Sequence, residues 1–447
     1  MMKSNHSISR RRFFKGTALG WAATSASGYV IPAAALGREG SIPPSDKIVV
    51  GSIGVGPQGS GVMTNFLNQK DCRVTALCDV KKQVRQKIKN QVDRFYGDRG
   101  CAVYHDFREL LSRQDIDAVT IATTDHWHVL VALAAVRAGK DVYLEKPMGL
   151  SLAEDQALRR ECRRYGTVFQ FGTQQRSGAH FRQACELVRN GRIGKLHTIN
   201  VWSPGSIAGG PLKPVPLPPD YIDYDLWLGP APYVPYTEDR CENKWWWFIS
   251  DYALGFIAGW GIHPMDIALW GGGDLLKGPI EVQGTAVFPP PDGVCDTSLN
   301  WDITYTFQNG IIMKFAGDPM PAEWQKRYVN VSTHGTAFEG TLGWVQVRRS
   351  GIEAFPKKIL ADHPGPHEVH LPVSENHARN LLDCIRTRSR TVCPIEEAVW
   401  GDTFCHLGDI AARTQQKLVW DQEKERFTHS ETANRYLVRP MRSPWHL

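Results

Sequence analysis

The tripeptide Glu145-Lys146-Pro147 contains the residue types best suited to chemistry on a hydroxyl group. It follows residues 141–144, a short apolar run that predicts a buried parallel strand. Ligands of open α/β sheets bind outside the carboxyl ends of the strands, so we expect Lys146 to point into a cleft. Pro147 keeps Lys146 out of the helical region, which fixes the direction of its side chain. The alternative is a strand that ends in a polar loop with a solvated lysine.

A second set of groups could exchange protons with a substrate. Residues 261–270 predict a short helix on which His263, Asp266 and Trp270 share one face, because their spacing is i, i+3, i+7. Imidazole accepts a proton near neutral pH, and the indoles of residues 245–247 can stack on sugar rings. The alternative is an amphipathic helix whose histidine and carboxylate only satisfy hydrogen bonds.

A nucleotide-binding unit is the element that would position Lys146. Residues 47–55 predict a parallel strand that runs into Gly54-Val55-Gly56-Pro57-Gln58-Gly59, and a helix is expected over 61–69. The glycines allow a tight turn and the close approach of a pyrophosphate to the helix N-terminus. The alternative is a βαβ unit that binds no dinucleotide.

The next predicted strand, residues 73–78, ends at Asp79, which lies 20 residues after Gly59. A carboxylate at this position accepts hydrogen bonds from the adenosine ribose and repels a 2′-phosphate. This favours NAD over NADP, although Lys81 and Lys82 leave NADP possible.

Further alternation of strands and helices predicts a doubly wound parallel sheet. A strand is expected over 116–123 and a helix over 129–138. One crevice at the carboxyl edge of the sheet would then collect residues 54–59, Asp79, residues 123–128 and Glu145-Lys146.

No metal site is expected from the spacing of potential ligands. His126 and His128 have no Cys, Asp or His partner at a typical metal spacing, which favours helix capping or a cofactor contact. The ten cysteines form no CxxC pair and read as small buried hydrophobes.

The N-terminal segment predicts export. Ser9-Arg10-Arg11-Arg12-Phe13-Phe14-Lys15 is a twin-arginine signature, and Ala33-Ala34-Ala35 offers small residues for cleavage after Ala35. The segment contains five basic and no acidic residues, so its removal lowers the net charge from +6 to +1. Nucleic-acid binding therefore loses its main support. A permanent membrane span is the weaker alternative, because residues 16–29 are only mildly apolar.

The rest of the chain is long enough for two domains. We expect a signal peptide over 1–35, a linker over 36–46, a nucleotide domain over 47–170 and a second α/β domain over 171–447. Runs typical of antiparallel strands are found at 196–202, 280–288, 299–307, 311–315, 328–333 and 344–347. Helices are expected at 176–191, 375–386 and 396–414. The Pro-rich residues 204–240 predict a functional or oligomer-contact loop, and the tail 417–447 is expected at the surface or a subunit contact.

Taken together, these motifs resemble the Gfo/Idh/MocA oxidoreductases, in particular an exported, tryptophan-rich branch. The matching stretches are IGVGPQG, CDV, ATTDHWH, EKPM, GTQQRS, DLWLGPAP, WWWFISDYALG, GWGIHPMDIALWG and HARNLLDCIR. The resemblance implies a Rossmann domain, a second α/β domain with an open, mostly antiparallel sheet, and a cis proline after the lysine.

The resemblance also implies site residues. Lys146 and His263 match catalytic positions, whereas Gly259 stands where the family has an aspartate, and Asp266 is one candidate to replace that carboxylate. Cofactor contacts are expected at Gly54, Gly56, Gln58, Gly59, Asp79, Thr123, His128, Glu145, Lys146 and Gln174. Substrate contacts are expected at Arg176, Trp247 and Asp266.

The expected activity is the NAD-dependent oxidation of a secondary hydroxyl of a sugar, glycoside or polyol. His263 would accept the hydroxyl proton while Lys146 hydrogen-bonds the same oxygen. The resemblance also implies the Tat export machinery as a partner, a periplasmic location and a homodimer or homotetramer. Free NAD is scarce outside the cytoplasm, so we expect the cofactor to stay bound.

Two alternatives remain. One is a glycosidase that oxidises, eliminates and re-reduces, although exported relatives of that kind tend to replace the lysine that is present here. The other is a sugar-binding homologue that has lost catalysis, which Gly259 favours.

Overall fold

The computed structural model describes residues 42–210, 217–241, 245–291, 293–328 and 333–447. The expected signal peptide and most of the expected linker lie outside these residues. The chain divides into two compact units, Met1–Lys47 and Ile48–Leu447. Of the first unit, the described part contains one 3₁₀ turn, Pro44–Asp46. Within the described ranges, none of the helices is long and apolar enough to span a bilayer.

The second unit begins with a six-stranded parallel sheet whose strand order is β3-β2-β1-β4-β5-β6. Its inner strands are mostly apolar and largely buried because helices cover both faces; every residue of β4 and β5 is buried. The strands are β1 (Ile48–Ile53), β2 (Cys72–Cys78), β3 (Ala102–Tyr104), β4 (Ala118–Ile121), β5 (Asp141–Leu144) and β6 (Phe169–Phe171).

The helices of this part connect successive strands, as expected of a doubly wound fold. They are α1 (Pro57–Leu67), α2 (Lys82–Tyr96), α3 (Phe107–Leu111), α4 (Asp125–Arg137) and α5 (Leu152–Tyr165). The helix expected over 129–138 begins four residues earlier, at Asp125, so the polar residues 125–128 lie inside its first turn and not in the preceding loop.

The second sheet has nine strands in the order β13-β12-β11-β7-β10-β9-β8-β14-β15. Among the described strands of this sheet, β7 and β10 pair in parallel and the other pairs are antiparallel. The strands are β7 (Leu196–Ser203), β8 (Ile280–Val287), β9 (Asn300–Phe307), β10 (Ile312–Gly317), β11 (Gly335–Gly340), β12 (Gly343–Arg348), β13 (Gly351–Phe355), β14 (Leu418–Asp421) and β15 (Arg426–Phe427). The fold class predicted from the sequence is confirmed.

The helices described in the second half of the chain are α6 (Ala179–Arg189), α7 (Tyr224–Leu228), α8 (Glu238–Cys241), α9 (Phe256–Gly259), α10 (Ile262–Gly272), α11 (Ala322–Arg327), α12 (His377–Thr387), α13 (Ile395–Thr414) and α14 (Glu431–Arg435). Of these, α6, α10 and α13 pack against the second sheet, whereas α12 packs against the first sheet. Helices α10 and α13 are buried along most of their length. One apolar cluster includes Ile121 and Leu144 of the first sheet and Ile303 and Phe315 of the second, so both sheets share a core.

Two expectations for the second half need correction. The tail expected at the surface contributes β14, which pairs with β8 and extends the sheet. Its Leu418 and Trp420 alternate inward and are buried, a two-residue pattern too short to identify from the sequence. The strand expected over 328–333 falls mostly outside the described residues, and the strand found after it is β11.

Candidate active site

The glycine-rich turn joins β1 to α1 and is shaped as a dinucleotide cradle. Gly54 has φ 74° and its Cα faces the backbone of residues 122–123, so an added Cβ would lie 2.6 Å from that backbone. At Gly59 a Cβ would lie 1.8 Å from the Gly54 carbonyl oxygen, which explains the close helix–strand packing. At Gly56 a Cβ would meet nothing within 4 Å. Open space at the middle glycine is where a pyrophosphate approaches the helix N-terminus.

Asp79 follows β2 at the same edge of the sheet. Its Oδ2 accepts a hydrogen bond from the Val55 N–H (3.0 Å) and its Oδ1 from the Lys81 N–H (2.9 Å), which fixes the carboxylate beside the glycine turn. Burial raises the pKa of Asp79, and these backbone donors oppose the shift. The Lys81 ammonium donates to the Cys241 carbonyl at 2.6 Å. The position fits an acceptor for ribose hydroxyls.

Thr123 and His128 follow β4, next to the turn. The Thr123 hydroxyl is buried without a hydrogen-bond partner among the described residues, so it is free to bind a cofactor group. His128 lies between two carbonyls, with Nδ1 2.6 Å from the Pro147 oxygen and Nε2 3.2 Å from the Thr123 oxygen. Burial lowers the pKa of His128 to about 4. The neutral ring therefore holds the Pro147 segment, and its contact with a cofactor stays a prediction.

Glu145 is the centre of a buried hydrogen-bond network. Its Oε1 accepts from the side-chain amides of Gln58 (3.1 Å) and Gln174 (2.7 Å), which follow β1 and β6. The Gln174 amide also donates to the Tyr143 hydroxyl, at 2.9 Å. Oε2 of Glu145 accepts from the Lys146 N–H at 3.2 Å. The structure thus brings three predicted cofactor residues together and fixes the backbone of Lys146.

Lys146 reaches across to the second half of the chain. The Lys146–Pro147 peptide bond is cis, as the resemblance implies. The Lys146 ammonium donates to the Gly259 carbonyl at 3.1 Å, at the end of α9 and four residues before His263. Lys146 and Trp247 both line a small cavity with a volume of about 20 Å³. The cavity is lined by Asp125, Lys146, Pro147, Trp247, Gly255, Phe256, Gly259 and Trp260.

His263 is buried in the first turn of α10 with its Nδ1 unpartnered among the described residues. Burial lowers the pKa of His263 well below its usual range, and the positive charge of Lys146 lowers it further. The two groups therefore interact electrostatically although they come from different halves of the chain. The Trp260 ring lies 5.8 Å from the imidazole and contacts it edge-on. A neutral imidazole with a free nitrogen is able to accept a proton.

Asp125 belongs to the stretch 123–128 that the sequence places at the crevice, but no role of its own is predicted for it from the sequence. It is 3% exposed, begins α4 and shares the cavity wall with Lys146. Burial raises the pKa of Asp125 well above its usual range, and the Lys146 charge opposes the shift. A carboxyl group at a helix N-terminus is so common that this position carried no distinct signal.

Arg176 and Asp266 form a buried ion pair with each other. The Arg176 Nε and Nη2 atoms donate to the two carboxylate oxygens of Asp266 at 2.8 and 2.7 Å. Nη1 donates to the Val392 carbonyl and to Glu397. Both oxygens of Asp266 are thus already hydrogen-bonded without His263. Substrate contacts of this pair stay a prediction, as does the contact of Trp247.

A larger cavity of about 560 Å³ borders Arg176 and Trp270, and neither Lys146 nor His263 lines it. Of the two proton-transfer candidates, Lys146 lines the smaller cavity, and His263 contacts Trp260, which lines it as well.

Comparison with known proteins identifies both halves. Residues 48–173 match the family described as "Oxidoreductase family, NAD-binding Rossmann fold", and residues 202–447 match "Oxidoreductase family, C-terminal alpha/beta domain". The uncharacterized oxidoreductase YrbE of Bacillus subtilis is 27% identical over 380 residues, which cover 84% of this chain and 95% of that protein.

Two further matches are limited, one in its length and the other in its sequence identity. A glycosyl hydrolase family 109 protein of Shewanella is 34% identical over 116 residues, and the chain spans about a quarter of its length. The structure of an aldose–aldose oxidoreductase from Caulobacter crescentus superposes with a TM-score of 0.60 at 19% identity, covering 84% of this chain and 99% of that one. At 19% identity the superposition is evidence for the fold alone.

Proposed function

Because the chain belongs to the Gfo/Idh/MocA oxidoreductase family and contains its NAD-binding Rossmann domain, we propose that it oxidises a secondary hydroxyl of a sugar, glycoside or polyol. The observation that carries the proposal is the contact of the Lys146 ammonium with the Gly259 carbonyl. This contact brings the lysine at the end of β5 to the segment of the second half that contains His263. This supports a site in which a proton donor, Lys146, and a proton acceptor, His263, serve one substrate.

The residues present fit NAD. The main chain around Gly56 would hold the pyrophosphate, Asp79 the ribose hydroxyls, and the free hydroxyl of Thr123 a group nearer to Lys146. When bound, the nicotinamide supplies the acceptor for the hydride that leaves the substrate carbon. Gln58, Glu145 and Gln174 keep the backbone of this region in place through their hydrogen bonds.

Lys146 and His263 have different roles at the substrate hydroxyl. Since burial keeps His263 neutral, its imidazole accepts the hydroxyl proton at neutral and mildly acidic pH. The Lys146 ammonium donates a hydrogen bond to the same oxygen and stabilises the negative charge that develops on it. The Gly259 carbonyl orients the ammonium before the substrate arrives.

We propose that Asp125 supplies the carboxyl group that Gly259 lacks. It lines the cavity beside Lys146, and the mutual influence of the two charges follows from their closeness. This residue belongs to α4 and not to α9, so it would serve the lysine from a different element than the family aspartate.

The test is the variant Lys146→Ala. We expect NAD affinity to stay within about threefold, because the turn at Gly56 and Asp79 would hold the pyrophosphate and ribose, and turnover to fall about 10²–10⁴-fold. The surface variant Lys424→Ala, whose exposed ammonium pairs with Asp421, is the matched control. Turnover of Lys146→Ala near that of the control would refute the role of the lysine.

A second candidate is a glycosidase that oxidises, eliminates and re-reduces, and the match to a glycosyl hydrolase family 109 protein favours it. That match covers a quarter of the chain, and the intact Lys146 favours net oxidation. Release of nitrophenol from a nitrophenyl glycoside without added acceptor would reverse the order of the two candidates.

We further propose that the protein is exported by the twin-arginine route and retains its cofactor. The support is the motif at residues 9–15, which lies outside the described residues. Fractionation of cells that produce the full chain should place it outside the cytoplasmic membrane, and Arg10→Lys/Arg11→Lys should keep it inside. Nucleotide released by denaturing the exported protein should be NAD.

A further inference from the structure

A cluster of three buried side chains lies between α5 and α13, apart from the residues that we assign to the reaction. Asp155 belongs to α5, and Asp402 and His406 lie one turn apart on α13. Both carboxylates are 0% exposed and the imidazole is 3% exposed. One ligand atom from each of the three side chains lies within 4.8 Å of the other two. The members are far apart in the sequence, so ligand spacing could not have revealed them.

The carboxylate oxygens in this cluster have no donors. All four oxygens of Asp155 and Asp402 are buried without a hydrogen-bond partner in the described part of the chain. Other buried carboxylates are satisfied: Glu154 accepts from the Leu150 N–H and the Ser151 hydroxyl, and Asp266 from Arg176. Two buried carboxylates this close are both ionised only where a cation neutralises them; the adjacent His406 supplies that charge only when protonated, whereas a metal ion supplies it with the ring neutral.

The imidazole of His406 is a separate indication of a ligand. Its Nε2 is also without a hydrogen-bond partner and is directed at the two carboxylates, 3.3 Å from Asp402 Oδ2 and 3.7 Å from Asp155 Oδ2. Ligand atoms bound at about 2.0–2.2 Å around one metal ion lie about 3–4 Å apart, which is the spacing of this cluster. One nitrogen and two carboxylate ligands suit Zn²⁺ better than Mg²⁺, which requires oxygen ligands.

We propose that Asp155, Asp402 and His406 bind one Zn²⁺ ion that cross-links α5 to α13. The ion would neutralise the two carboxylates and satisfy the imidazole nitrogen. A second carboxylate oxygen or a water molecule would complete four-coordination. Helix α5 directly follows the segment that contains Lys146, so the ion would brace the fold behind the active site and take no part in the reaction.

The experiment uses the full chain, stripped with EDTA and dialysed, then equilibrated with Zn²⁺ and analysed for metal by mass spectrometry. We expect about one Zn²⁺ per chain and a rise in Tm of a few degrees on binding. His406→Gln and Asp402→Asn should each weaken binding about 100-fold or more. Asp409→Asn is the control, because Asp409 lies on the same helix and pairs with Arg413.

Two outcomes would overturn the proposal. One is wild-type protein that binds no Zn²⁺ and keeps its Tm when the ion is added, since protons would then neutralise the pair. The other is equal binding by wild type and His406→Gln. If the variants fail to fold, Co²⁺ in the wild-type protein decides: visible d–d bands with nitrogen and oxygen ligation are expected, and their absence contradicts the site.

Discussion

Replacing Gly259 by aspartate tests the electrostatic reasoning about the site most sharply. An added Cβ at this position meets only Phe256 Cδ1, at 3.7 Å, so the side chain has room. The Gly259 carbonyl accepts from the Lys146 ammonium, so the new carboxylate would lie near that charge. We therefore expect the free energy of unfolding to change by no more than about 1 kcal/mol.

The expected change in the pKa of His263 follows from Coulomb's law. Opposite charges about 4–6 Å apart at an effective dielectric constant near 20 interact by about 3–4 kcal/mol, or about two to three pKa units. His263 belongs to the next helix, α10, and we expect up to about half of that effect on it. In the wild-type protein the positive charge of Lys146 lowers the pKa of His263. An aspartate at position 259 would offset this charge, so the pKa of His263 should rise by about one unit.

Two assays report the shift. The acid limb of kcat/KM, where His263 becomes protonated, should move upward by about one pH unit. The NMR titration of the His263 ring protons, assigned with His263→Gln, should move in the same direction without any substrate. Gly259→Asn is the matched control, since it has the same shape and no charge. Equal shifts in the two variants, or no shift with aspartate, would refute the reasoning.

Three further predictions concern the nucleotide turn, the buried ion pair and the buried histidines. Gly56→Val should weaken NAD binding about 100-fold because it fills the pyrophosphate space, whereas Gly61→Ala on the exposed side of α1 should leave the affinity unchanged; calorimetry decides, and equal affinities would contradict the cradle. Arg176→Met should lower the free energy of unfolding by about 3–5 kcal/mol, because Asp266 is left as an uncompensated buried charge. Unchanged urea stability with a raised KM would instead indicate a substrate ligand. Burial lowers the pKa of His126, His128 and His377 to about 4, so the unfolded chain binds protons that the folded chain does not as pH falls from 6.5 to 4. Stability should therefore decline in this window by about 1.4 kcal/mol per pH unit for each histidine, and the slope should be shallower in His377→Gln.

The nucleotide half could be predicted from the sequence because its signals are local. The glycine turn, Asp79 and the segment that ends at Lys146 each follow a strand, and parallel strands place their carboxyl ends at one edge. The order of the strands then brings these residues together, as the hydrogen bonds of Glu145 show. Little tertiary information was needed.

The pairing of side chains across the second half could not be predicted in the same way. Spacing placed His263 and Asp266 on one helix face, but whether a carboxylate orients an imidazole depends on what else approaches it, and Arg176 does so from another element. The Asp155–Asp402–His406 cluster arises from two helices that are distant in the chain. Likewise, β14 joins the sheet through pairing with β8, which no local pattern in the tail indicates.

The central claim is that Lys146 and His263 act together on one substrate oxygen, and a double-mutant cycle tests it directly. Single-turnover reduction of bound NAD is followed by absorbance after a panel of sugars is added to wild type, Lys146→Ala, His263→Gln and the double variant. Groups that act as a unit are non-additive, so the double variant should be little slower than the slower single variant. Losses that multiply, or wild-type protein that holds NAD and reduces it with none of the sugars, would contradict the claim.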